Sequence, residues 1–281
     1  MPEFSPSLDY PAAVQIETWA KCNAACDFCP YPTLDRKGIK MSDELLEKIL
    51  TDLEDIPKTY PFYLSPFKVN EPFLDKRLLP LLEDINQRLP NALIRLFSNG
   101  TPITEKKIDQ LARIRNVEHL WISLNEHRSD VYEKVMQLPL SKTLKRLDLL
   151  HKKKMQGFPH PVIISKVVDD TFADGQFYEF VNDRYPEFVV HLIKREAWID
   201  FHDHDAIEKE VPATTCGRWY EINIMSTGVV ALCCMDGGGE YPIGDVSKDH
   251  VLEVFNSPGY RRMRAGAFNR QAYDPCNRCT Y

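Results

Sequence analysis

Between Cys29 and Cys216 the chain runs for 186 residues without a cysteine. Other absences narrow its class. The opening segment MPEFSPSLDYPAAV has no basic start followed by an apolar run, which argues against a signal peptide. No apolar stretch approaches the roughly 20 residues that span a bilayer. Positive charge is not in excess: 35 Lys and Arg stand against 41 Asp and Glu, a net charge of -6. That balance gives no electrostatic reason to expect nucleic acid or an anionic membrane as a partner. Short-period repeats and low-complexity tracts are missing as well. What is present is ordinary globular composition, 43% hydrophobic and 27% charged. Its 281 residues suffice for one large domain, or one large and one small. The expected location is the cytoplasm.

In a reducing cytosol, grouped cysteines are more often metal ligands or catalysts than disulfides. The eight here fall into two groups: Cys22, Cys26 and Cys29, then Cys216, Cys233, Cys234, Cys276 and Cys279. Such segregation implies two separate sites.

From residue 12 to about 193, strand-like runs alternate with amphipathic helical stretches. The strands are expected at 14–19, 62–67, 92–98, 117–124, 161–168 and 187–193, rich in β-branched and aromatic residues. Helical periodicity is clearest at 42–56, 101–114 and 141–154, the first opening on a Ser–Asp cap signal. Six β–α alternations imply α/β architecture with a parallel sheet and right-handed crossovers. A complete eight-stranded barrel usually takes about 250 residues, so the expected fold is a partial (β/α)6 TIM-like barrel. After the polar run His202-Asp203-His204-Asp205, which reads as a solvated connector, the texture changes. Runs 219–225 and 229–234, joined by Ser226-Thr227-Gly228, predict a hairpin. Short helices follow at about 249–256 and 259–267. The domains are therefore expected at 1–205 and 206–281, the second a small hairpin-and-helix unit.

Cys22-x3-Cys26-x2-Cys29 follows the first strand, on the face where parallel barrels place active sites. Three thiolates hold three irons of a [4Fe–4S] cluster, whereas a fully protein-bound cluster takes four. The missing ligand leaves one iron open, by the logic of a catalytic zinc site. Three unrelated loop cysteines, or a zinc site completed by a distant His, are the plainer alternatives. No His lies near the motif.

The segment KCNAACDFCPYP, with Phe28 just before the third Cys, resembles the cluster loop of radical S-adenosylmethionine enzymes. In that family a Gly-Glu-Pro motif holds the cofactor's amino group; the matching place reads Val69-Asn70-Glu71-Pro72, with Asn in place of Gly. The resemblance therefore implies Glu71 as the amino-group acceptor. FSNGT (97–101) and ISLNE (122–126) resemble the family's third and fourth strand ends, with Ser123 and Asn125 near the cofactor ribose or carboxylate. It further implies reductive cleavage of S-adenosylmethionine to a 5′-deoxyadenosyl radical that removes a substrate hydrogen atom. A flavodoxin or ferredoxin would supply the electron.

Cys216, Cys233, Cys276 and Cys279 supply four thiolates, enough to close a second cluster. Four cysteines that include a Cys-x-x-Cys also suit structural zinc. The spacing, with four residues between Gly228 and Cys233, resembles the short "twitch" form of the SPASM-type auxiliary-cluster domain. It implies one further [4Fe–4S] cluster, two in all. Cys234 is spare: adjacent residues of a strand face opposite ways. It is either a small buried thiol or a hydrogen-atom donor.

Arg195 follows the sixth strand and resembles an arginine that binds substrate hydroxyls in the twitch dehydrogenases acting on 2-deoxy-scyllo-inosamine; the alternative is a surface Arg paired with Glu196 or Asp200. Asp236 could act as a base or order the cluster's surroundings. A fully ligated second cluster cannot chelate substrate, so its natural service is to accept an electron. The leading expectation is oxidation of a secondary alcohol on a sugar, cyclitol or aminoglycoside-like small molecule. Epimerisation with Cys234 as donor is the alternative, and modification of a ribosomal peptide another. The first cluster Cys at residue 22 leaves no room before it for a leader-binding domain, which favours a small substrate. An electron-transfer or metal-sensing protein would need neither Glu71 nor a barrel.

Overall fold

The computed structural model describes residues 7–168, 171–196, 198, 199, 201, 210–279 and 281. The strands β1 (Ala13–Ile16), β2 (Phe62–Ser65), β3 (Ala92–Ser98), β4 (Val117–Ser123), β5 (Val162–Val168) and β6 (Val189–Lys194) pair in sequence order, every pair parallel. The helices α1 (Asp43–Leu53), α2 (Leu78–Arg88), α3 (Glu105–Leu111), α4 (Ser129–Met136), α5 (Leu140–Met155) and α6 (Phe172–Arg184) fill the crossovers. This is the α/β, partial-barrel architecture that the alternation predicts.

Local chemistry accounts for the elements. Ser42 caps α1 by accepting the Leu45 N–H, and Asp43 and Glu44 sit at the positive end of the helix dipole. Leu46, Ile49, Leu50 and Leu53 form its buried stripe. Along β3 burial alternates strictly: Ala92, Ile94, Leu96 and Ser98 are buried, while Leu93, Arg95 and Phe97 between them are half-buried. Val14, Ile16, Ile94, Ile122 and Ile164 are fully buried, each contributing roughly 1.5–3 kcal/mol. Helix α3 is shorter than the expected 101–114 because Thr104 is its cap, accepting from Lys107 N, so the residues before it are loop.

The last quarter brings β7 (Glu221–Ile224) and β8 (Val229–Ala231), antiparallel around Gly228, whose φ of +93° suits glycine alone. This is the expected hairpin. Its setting was not legible: β7 also lies parallel to β1, with Val14 opposite Ile222 and Ile16 opposite Ile224. Among the described residues one nine-stranded sheet results, ordered β6-β5-β4-β3-β2-β1-β7-β8-β9. Strand β9 (Pro242–Asp245) escapes sequence reasoning because Pro and Gly occupy two of its four positions, tolerable at a sheet edge. Helices α7 (Val251–Phe255) and α8 (Pro258–Arg262) follow. The chain then leaves the expected helix for a π-type turn over Met263–Ala267, which contains Gly266 at φ +76°. The expected boundary near 205 and the run 202–205 lie outside the described residues. Among the described residues no helix is long and apolar enough to cross a membrane.

Candidate functional site

The C-terminal ends of β1 to β6 surround a cavity of about 290 Å³. Its wall brings together Cys22, Cys26, Phe28, Cys29, Glu71, Ser123 and Asn125, all expected from sequence. It also includes Lys68, Asn70, Phe97, Asn99, Trp198 and Met235.

The three thiols sit close to one another. Burial pushes the Cys22 thiol up to about 12, with the Glu71 carboxylate next in effect. Burial also raises Cys29, to about 11, and Cys26, where the neighbouring Cys29 and Cys22 add to it. Metal assembly here must therefore remove protons that the bare site retains. Asn99 Nδ2 points at Cys22 Sγ from 3.9 Å, and Ala24 N from 3.4 Å. Among the described residues no three His, Cys, Asp or Glu side chains converge tightly enough for a single metal ion. A four-iron cluster gives each thiolate its own iron, so its ligands stand wider apart than those of one ion. Three neighbouring thiols at a cavity wall fit such a cluster with one iron left for a ligand.

Glu71 is 3% exposed and tied into the barrel. Its Oε1 accepts from Phe73 N at 3.1 Å and Ser98 Oγ at 2.9 Å, and its Oε2 from Asn99 N at 2.6 Å. A carboxylate offers about four lone-pair sites, which leaves one on Oε2. Burial dominates over these bonds and raises its pKa to about 7. Asn125 adopts φ +63°, a conformation Asn tolerates. Its Oδ1 accepts from Val167 N and its own N–H donates to Ser165 O, stitching β4 to β5. Phe28 O accepts from Trp198 Nε1 at 3.0 Å.

Arg195 does not line this cavity. It lies 4.0 Å from Asp27 Oδ1 and over the Phe28 ring, beside a smaller pocket that includes Glu126, Arg128 and Lys166. Lys194 and Glu196 are the ones that face the cavity, because neighbours in extended chain alternate sides. Position after a strand end did not reveal which of three consecutive polar residues would point inward.

In the second group Cys276 is buried, and its thiol is raised to about 11 by burial, against a hydrogen bond with Trp219 and with Cys279 and Cys216 nearby. Cys216, raised by burial, has Arg218, Arg270 and Cys279 as neighbours. Cys233 packs with Ile199 and Met235. Cys234 turns toward Arg218, Glu221 and Cys216 and does not line the cavity; burial raises it to about 11.

Three residues that sequence reasoning left unassigned tie the second cysteine loop to the barrel around the first. Arg36 makes a two-bond ion pair with the fully buried Glu17 and donates to Gly237 O at 2.7 Å and Gly238 O at 3.1 Å. Lys68, 2% exposed, donates through Nζ to Cys233 O at 3.3 Å and Asp236 O at 2.8 Å. At Gly237 a Cβ would meet Pro30 Cγ at 2.6 Å, so glycine is required by close approach to the residue after Cys29. Asp236 shapes the turn that follows Cys233 and Cys234, since its carboxylate accepts the N–H groups of Gly239, Glu240 and Tyr241.

Comparison with known proteins follows the same division. A model described as the radical SAM superfamily matches residues 16–175, and the SPASM iron–sulfur cluster-binding domain matches residues 216–280. No curated protein sequence matches. Several solved structures share the fold. BtrN in complex with AdoMet and 2-DOIA is 15% identical, with a TM-score of 0.58 over 96% of this chain and 93% of that one. SuiB of Streptococcus suis bound to precursor peptide SuiA is 14% identical, with a TM-score of 0.71 over 97% and 70%. The structure of anSMEcpe with bound AdoMet is 14% identical, with a TM-score of 0.67 over 93% and 83%. With the first model covering more than half of its length, this chain belongs to the radical S-adenosylmethionine superfamily, whose four-iron cluster and cofactor it binds, and it carries an iron–sulfur SPASM domain.

Proposed function

We propose that the protein is a dehydrogenase that oxidises a secondary alcohol of a sugar, cyclitol or aminoglycoside-like small molecule. The observation that carries this reading is the course of residues 233–237: Met235 lines the cavity, while Cys233 two residues earlier is an expected ligand of the second cluster. The clusters and S-adenosylmethionine, when bound, supply cofactor cleavage, removal of a substrate hydrogen atom and uptake of a second electron, which with loss of the hydroxyl proton leaves a ketone. Cys22, Cys26 and Cys29 hold the first cluster in this proposal; Cys216, Cys233, Cys276 and Cys279 hold the second. Glu71 receives the cofactor's amino group, and Phe28, Ser123 and Asn125 bound its remaining surface. The apolar faces of Phe67, Phe97 and Trp198 exclude water from the reacting carbon. Arg195, behind Phe28, acts on the substrate only through the loop it packs on. The domains divide at about residue 205, the location is cytoplasmic, and the electron donor is a flavodoxin or ferredoxin.

Among the described residues the cavity is lined by no cysteine outside the first cluster's three. This supports oxidation over epimerisation, which needs a hydrogen donor there. Likeness to BtrN, whose structure holds 2-DOIA with AdoMet, favours a small cyclic substrate; SuiB with its precursor peptide keeps peptide modification as the second reading. Reduced protein incubated with S-adenosylmethionine and a panel of cyclitols and amino sugars tests the assignment. A ketone formed one-to-one with 5′-deoxyadenosine supports it; turnover of a peptide alone overturns it.

A further inference from the structure

The cofactor motif departs from its family at Asn70, and the structure gives that departure a function. Asn70 is 5% exposed and lines the cavity. Its Oδ1 accepts the backbone N–H of Lys68 at 3.0 Å. A backbone N–H can only donate, so this bond fixes which end of the amide is oxygen and which is nitrogen. Nδ2 is then left buried with no hydrogen-bond partner among the described residues. Buried amide donors are seldom left unpaired, because an unmade bond costs the full desolvation of the group. The missing acceptor is expected on the ligand.

The fold locates Asn70 along that ligand. The next residue, Glu71, donates its backbone N–H to Lys21 O at 2.8 Å, and Lys21 immediately precedes Cys22. Asn70 therefore stands at the cluster end of the cavity. The group that meets an open iron there is the methionyl end, which carries one ammonium and one carboxylate. An ammonium only donates and a carboxylate only accepts. We propose that Asn70 Nδ2 donates to the methionyl carboxylate of S-adenosylmethionine. Asn70 and Glu71 then form a donor–acceptor couple matched to the zwitterion, donor to carboxylate and acceptor to ammonium. A glycine at position 70 offers no side chain for the first half of that couple.

Equilibrium binding of S-adenosylmethionine to the oxidised, iron-loaded protein tests this without turnover. Asn70→Ala is expected to weaken binding about ten-fold or more, the range for a hydrogen bond to a charged acceptor. Asn70→Gly, which removes the same donor, is expected to match it. Asn70→Asp keeps an oxygen for the Lys68 N–H but sets a carboxylate against a carboxylate, so it is expected to bind more weakly than Asn70→Ala. Iron content equal to wild type establishes that each variant is folded and loaded. Wild-type affinity in both Asn70→Ala and Asn70→Gly overturns the proposal. So does Asn70→Asp binding as tightly as wild type or tighter, since that result would put a donor of the cofactor opposite Nδ2.

Discussion

The two cysteine groups are built on opposite plans. Cys22, Cys26 and Cys29 sit within one short loop and border the cavity. The second group is spread over a turn before β7, the residues after β8 and a C-terminal turn, with Cys216, Cys276 and Cys279 near one another and Cys234 turned toward Cys216. The first set is local in sequence and numbers three thiols; the second is scattered and offers enough thiols to close a cluster. On the proposed reading, an incomplete set depends on its surroundings to hold the cofactor that completes it, and Asn70, Glu71, Ser123 and Asn125 line the cavity where it would lie. A complete set needs only to be folded and kept close. Arg36, Lys68 and Gly237 do the keeping.

The sharpest way to separate the two is to empty each in turn. Protein reconstituted without oxygen is expected to hold about eight irons, the sum of two four-iron clusters. Replacing Cys22, Cys26 and Cys29 by Ala should leave about four and abolish S-adenosylmethionine cleavage. Replacing Cys276 and Cys279 should also leave about four, but with cleavage retained and product formation lost. Zinc in place of the second set of irons would remove the electron-accepting role from the comparison.

Next in size is the join between the loops. Gly237→Ala forces a Cβ against Pro30 and should cost roughly 1–3 kcal/mol, as overpacking does. Thermal unfolding of the iron-loaded protein measures it, and an unchanged midpoint would mean the loops are not held in register by that contact.

Glu71 tests the open side more gently. With its pKa near 7, the carboxyl is protonated below that pH and accepts poorly from an ammonium. S-adenosylmethionine affinity is therefore expected to rise as pH increases through about 7. Glu71→Gln should bind about ten-fold or more weakly at pH 8 and lose the dependence. A pH-independent wild type would show that this acceptor is not the amino-group partner.

The smallest effect is expected at Cys234, which does not line the cavity. Cys234→Ala should retain about eight irons and most activity, and turnover in D2O should place no deuterium on the reacting carbon. Deuterium there, lost together with activity in the variant, would replace the dehydrogenase by an epimerase. Loss of four irons in Cys234→Ala but not in Cys233→Ala would exchange the ligand roles of the pair.

The six barrel strands and the cavity's cysteines were legible because each rests on short-range pattern: alternation along β3, the cap at Ser42, the spacing of Cys22, Cys26 and Cys29. Arg36 and Lys68 were not, since their carbonyl partners lie 201 and 165 residues away and nothing near them in the chain distinguishes them from surface cations. Asn70 was visible only as a departure from Gly; its unpaired amide is a property of the folded loop. Arg195 borders the smaller pocket and not the cavity for a third reason, the ambiguity of side-chain direction where a strand gives way to loop.

The parallel pairing of β1 with β7 also bears on how the chain emerges from the ribosome. Strand β1 ends at Ile16 and its partner begins at Glu221. At translation rates of about 5–20 residues per second, β1 waits roughly 10–40 s for that neighbour. Through that interval its flank toward β7 is an open sheet edge of the kind that recruits foreign strands. A nascent chain stalled before residue 221 carries the complete first cysteine loop beside an unguarded edge, and truncation there is expected to yield aggregates rather than a smaller soluble enzyme.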